Sequence, residues 1–132
     1  MRRKLSILRP ISLTFAQDIA IFRKIEKLID KFDDSSLKLS QNEDGSPRDL
    51  SCHMLTQALA RMPMCEELRA CSGYYLPGYE HSWLVSKHGY SIISGIYLEN
   101  SEVLSDVITR NVNFWSDVAE VQASLEQVSA NL

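Results

Sequence analysis

The 132-residue sequence contains no apolar run that approaches the roughly 18 residues of a membrane-spanning helix, so a membrane partner is not expected. It has no Cys-x2-Cys pair, and its five glycines are too scattered to form a phosphate-cradling loop. The irregular spacing of Cys52, Cys65 and Cys71, taken with His53 and His81, matches no compact zinc pattern. An odd cysteine count is likewise unlike the disulfide framework of a small secreted protein, which predicts a reducing, cytoplasmic setting. Basic charge is also short: 14 Lys and Arg against 17 Asp and Glu give a formal net charge of −3. No basic helix is interleaved with aromatics, so no nucleic-acid partner is expected. The opening Met-Arg-Arg-Lys-Leu-Ser-Ile-Leu-Arg-Pro starts like a signal peptide, but Arg9 and Pro10 interrupt its apolar stretch, which speaks against export.

What remains is ordinary for a globular chain, 45% hydrophobic and 23% charged, which excludes a disordered or low-complexity character. The length predicts a single domain over 1–132. Phe15, Ile19, Phe22, Ile25, Ile29 and Phe32 step by three and four residues, predicting a first helix over 12–34. Residues 35–49 read as a loop with turn signals at Asp44-Gly45 and Ser46-Pro47. A second helix starts near 49–51 and stops before Pro63, with a short helical segment following at 64–70. The texture then turns to strand: residues 81–86 alternate, and 90–98 is β-branched and aromatic. A two-residue hairpin at His88-Gly89 joins the two, and a further short strand is predicted at 106–110. Val118, Val121, Leu125 and Val128 make a seam on a C-terminal helix over 116–130, capped by Ser116. Helices 12–34 and 116–130 differ in charge. No Lys or Arg occurs in 111–132, whereas 1–31 holds Arg2, Arg3, Lys4, Arg9, Arg23, Lys24, Lys27 and Lys31. These faces suit a homodimer through the terminal helices or packing on the chain's own core, and both stay open. The predicted fold class is α+β: a small antiparallel sheet packed on a central Cys-bearing helix, with long N- and C-terminal helices.

Three positions carry the chemistry. Cys52 opens the second helix, where N–H groups and the helix field favour a thiolate. Its stripe with Leu55 and Leu59 suits an inert buried cysteine equally well. His81 opens a strand that can lie against the start of a packed helix, and Trp83 shares its face. His53 points about 100° away from Cys52 on a helix and reads as a poor direct base. In the predicted register Trp83 opposes Ser94, which makes Ser94 a diagonal neighbour of His81 and the candidate to orient it.

The runs Leu50-Ser-Cys-His-Met-Leu-Thr-Gln-Ala-Leu-Ala-Arg61, Cys71-Ser-Gly-Tyr-Tyr75, Tyr79-Glu-His-Ser-Trp-Leu-Val85 and Ser91-Ile-Ile-Ser-Gly-Ile-Tyr97 together resemble small bacterial proteins of the papain-like, transglutaminase-like cysteine hydrolase fold. The resemblance covers a core motif at 49–115. It implies a cysteine hydrolase or acyltransferase acting on a peptide or other amide substrate, without a cofactor. Cys52 then matches the nucleophile and His81 the base, while Ser94 stands where the family often has an acidic residue. Trp83, Tyr79 and Tyr75 are the expected substrate-binding side chains. The alternative is a catalytically degenerate relative that serves as a binding or assembly module. The two readings part at Cys52, which an enzyme needs reachable and a module can bury.

Overall fold

The apolar stripe of the first segment folds into helix α1 (Ala16–Lys31), with Phe22, Ile25, Leu28 and Ile29 buried and Arg23, Lys24, Lys27 and Lys31 exposed. The helix is shorter than predicted at both ends. Phe15 and Phe32 are extended, with ψ of 129° and 131°. Beyond Phe32, Asp33 Oδ1 accepts from the Ser35 backbone N–H at 3.0 Å and hydroxyl at 2.6 Å. That side-chain turn competes with another helical turn. The computed structural model describes residues 5–8, 14–33, 35, 37–41, 44–46, 50–76, 79–93, 95–98 and 113–132. The strand predicted at 106–110 lies outside them.

Helix α2 (Cys52–Ala60) is capped by Ser51, whose side chain accepts from the Met54 N–H. It ends before Pro63 because the residue preceding a proline avoids the helical region, and Met62 is extended at ψ 144°. The predicted helical segment at 64–70 is instead a 3-10 turn, Pro63–Cys65, followed after a turn at 66–67 by strand β2 (Arg69–Leu76).

Strands β2, β3 (Tyr79–Val85) and β4 (Ser91–Ile93) form a three-stranded antiparallel sheet in the order β2-β3-β4. The connection from β3 to β4 is longer than the two residues predicted. Gly89 N–H bonds to the Ser86 carbonyl at 3.0 Å, and Ser86 N–H to the Tyr90 carbonyl at 2.8 Å. Lys87, His88 and Gly89 therefore make a three-residue loop, and Gly89 supplies the positive φ of 82° that such a loop needs. The resulting bulge lies between Leu84 and Val85, and beyond it Leu84 opposes Ile93, in the predicted register. Within the strand predicted over 90–98, Ser91–Ile93 pairs with β3, and β5 (Gly95–Leu98) pairs antiparallel with β1 (Leu5–Leu8), from Leu5 opposite Leu98 to Leu8 opposite Gly95.

The last helix, α3 (Phe114–Ala130), begins two residues before Ser116, at the Asn113 cap, and the Phe114 ring is fully buried. Its Val118, Val121 and Leu125 are buried, and the helix packs chiefly on α2. The predicted seam is thus covered within the chain. Arg61, at the end of α2, lies 4.7 Å over the Trp115 ring. Asp117 and Glu120 of α3 meet the 37–40 segment. Asp117 accepts from the Ser40 N–H at 2.8 Å and from its hydroxyl, and Glu120 from the Lys38 N–H at 3.4 Å. The chain is α+β; among the described residues it has three α-helices, a three-stranded antiparallel sheet and the two-stranded β1–β5 ladder. Among the described residues no helix is long and apolar enough to cross a membrane.

Candidate functional site

The Ser51 cap makes Cys52 the first residue of α2, and β3 lies across that helix start. Burial pushes the Cys52 thiol above its usual range, outweighing the lowering effect of the backbone N–H groups of Ser82, Cys52 and His53. The expected thiolate is corrected on this point. A helix start activates a cysteine only while water still solvates the charge, and Cys52 is 6% exposed.

His53 also differs from its sequence reading. Its Nε2 lies 3.6 Å from Cys52 Sγ, although adjacent helical residues diverge by about 100° at the backbone. The imidazole is long enough to swing back toward the sulfur, because β3 covers both side chains. His53 is fully buried, and its Nδ1 lies 2.7 Å from Ser82 Oγ. Burial first, and the neighbouring His81 charge second, push its pKa down to about 4, so the imidazole is neutral near pH 7.

Strand alternation assigns the faces of β3. Ser82 and Leu84 face α2 and are fully buried. His81 and Trp83 share the other face, as predicted, with stacked rings whose centroids are 6.1 Å apart. Trp83 lies over Gly73, where a Cβ would meet the ring at 3.0 Å. Ser72 of the edge strand β2 opposes Ser82, with their hydroxyl oxygens 2.9 Å apart. Thr56 of α2 reaches the Ser82 carbonyl at 3.5 Å. A chain of polar groups therefore runs from Cys52 through His53 and Ser82 to Ser72, which is exposed.

Of the predicted site residues, Cys52 lies against β3 at Ser82, whereas His81 stands on the other face of that strand and reaches His53 only through its charge. Ser94, between β4 and β5, lies outside the described residues. Tyr75 and Tyr79 stand at the ends of β2 and β3 that approach each other, and their side chains also lie outside the described set. The sequence reading missed Ser82 and Ser72. The available signal was a serine on the same strand face as Leu84, a polar residue at a core-facing position. Cys65 is buried and its thiol is pushed up to about 12, whereas Cys71 is half-buried opposite Trp83. Among the described residues no group of three or more His, Cys, Asp or Glu is placed to hold a metal. A comparison with family models, curated proteins and solved structures finds no match.

Proposed function

We propose that the chain is a cysteine hydrolase or acyltransferase acting on an amide bond, with Cys52 and His53 as its working pair on a papain-like core. The observation that carries this reading is the 3.6 Å approach of Cys52 Sγ to His53 Nε2, in an imidazole whose other nitrogen is held by Ser82. A nucleophile beside a base that is itself oriented is the arrangement covalent catalysis needs.

The pair works uncharged, unlike a thiolate–imidazolium couple. As Cys52 Sγ bonds to the carbonyl carbon, its proton passes to His53 Nε2. The positive end of the α2 dipole opposes the charge that develops on the carbonyl oxygen. Collapse breaks the C–N bond, His53 returns the proton to the leaving amine, and a thioester remains on Cys52. Water, or an acceptor amine or alcohol, then attacks the thioester through the same base and restores the thiol. The substrate is a peptide or similar amide, and no cofactor enters. His81 and Trp83 stand on the face of β3 turned away from α2, so in this reading His81 acts on the pair through its charge alone, and the substrate-binding roles of Trp83, Tyr79 and Tyr75 rest on the resemblance. The free thiols suit a reducing cytoplasm.

The 6% exposure of Cys52 favours a second reading, a degenerate relative that serves as a binding or assembly module with a sealed thiol. p-Nitrophenyl acetate separates the two. The hydrolase reading expects a stoichiometric burst, an acetyl group mapped to Cys52, and loss of the burst in C52A. It also expects a fall of about a hundredfold in H53A. The acylation rate should be flat between pH 5 and 8, because His53 takes a proton only near pH 4. Acylation of Cys71 but not of Cys52 overturns this reading in favour of the module. Loss of the burst in H81A but not in H53A moves the base role to His81.

A further inference from the structure

Ser82 has one hydroxyl proton and two polar neighbours, His53 Nδ1 at 2.7 Å and Ser72 Oγ at 2.9 Å. Where that proton points decides what His53 can do. If Ser82 donates to Nδ1, the imidazole proton sits on Nε2 and faces the sulfur, which leaves no base. If Ser82 donates to Ser72, it accepts from Nδ1–H, and Nε2 is a bare acceptor toward Cys52.

Two features favour the second arrangement. The Cys52 thiol has one proton to place and His53 Nε2 lies 3.6 Å from its sulfur, so an Nε2–H would face that proton and leave it without an acceptor there. The bond left for the thiol to make is donation of its own proton to Nε2. Ser72 is exposed, so its hydroxyl can donate a hydrogen bond to water while its oxygen accepts one from Ser82. Every polar hydrogen in the chain then has an acceptor, which a buried network requires.

We infer that Ser72, an exposed serine of the edge strand β2, fixes the tautomer of the buried His53 through Ser82 and so keeps Nε2 free to take the Cys52 proton. Ser72 is a positioning residue. The inference rests on the proposed thiol chemistry for its consequence, although the tautomer is measurable without it.

Nitrogen-15 NMR of the histidine rings reads the tautomer directly. The intact protein should show His53 protonated at Nδ1, and S72A should shift it toward the Nε2–H form. Acylation of Cys52 by p-nitrophenyl acetate should fall about tenfold or more in S72A and return in S72T. Ser72 is exposed, so S72A tests the idea without opening the core. S82A should shift the tautomer as well, and its folding is checked from the same spectra. An Nε2–H form in the intact protein, or a tautomer unchanged by S72A, overturns the inference. A tautomer that responds as stated in a protein whose Cys52 never acylates upholds the inference and removes the hydrolase reading.

Discussion

At the scale of single residues, His53 ties the stability of the protein to pH. Its folded pKa of about 4 lies below the ordinary 6.5, so the unfolded chain takes the proton first. The stabilisation is fully present above about pH 6.5 and is lost as pH falls toward 4. At pH 5 the loss from this group alone should be about 2 kcal/mol. Urea unfolding at pH 7 and pH 5 measures it, and H53Q should flatten that part of the slope. The sequence made Cys52 legible, because a serine before an apolar helical run is a capping signal. The thiol's raised pKa was not legible, since the covering strand comes from thirty residues downstream. His53 was misjudged for a related reason: helical angles fix where a side chain leaves the backbone, but not where a long ring ends.

Among the elements, the β3–β4 hairpin is fastened to the start of α1 by one buried carboxylate. Asp18 is 1% exposed, accepts from the Ser86 hydroxyl at 3.0 Å, and lies 3.3 Å from His88 Nδ1. Phe15 stacks on the His88 ring, with centroids 4.3 Å apart. D18A leaves the buried Ser86 hydroxyl without this acceptor and should cost about 1–3 kcal/mol. D18N keeps an acceptor and should cost less, and denaturant midpoints at pH 7 rank the two. The element types were mostly legible, because the stripe of α1 and the alternation of β3 are periodic over many residues. Their ends and joints were not. Phe32 leaves α1 to bury its ring, and Gly89 lengthens the hairpin by one residue. The pairing of Gly95–Leu98 with a strand from the start of the sequence is not contained in the periodicity within the segment. Residues 5–8 carry too few positions to read as a strand until the partner is known.

For the whole molecule, α3 is part of the core. Val118, Val121 and Leu125 are each fully buried, and burial of such a side chain stabilises by about 2 kcal/mol. Removing three of them takes a large part of the roughly 5–15 kcal/mol that holds a domain together. A chain ending at Ser116 should therefore be unfolded, as read by near-ultraviolet circular dichroism or proton NMR dispersion. A truncated chain that stays folded would return α3 to the role of an assembly element.

The pairing of Leu5–Leu8 with Gly95–Leu98 has a consequence in time. It joins segments about ninety residues apart, and closing a loop of that length carries an entropic penalty that no local contact offsets at the outset. Helices α1 and α2 and the β3–β4 hairpin involve neighbours in the chain and form in microseconds. The β1–β5 ladder must wait until the rest has brought its two ends together, so it closes late and its contacts are largely absent from the folding transition state. Weakening this ladder should therefore speed unfolding far more than it slows folding, and the first strand governs how long the native state lasts.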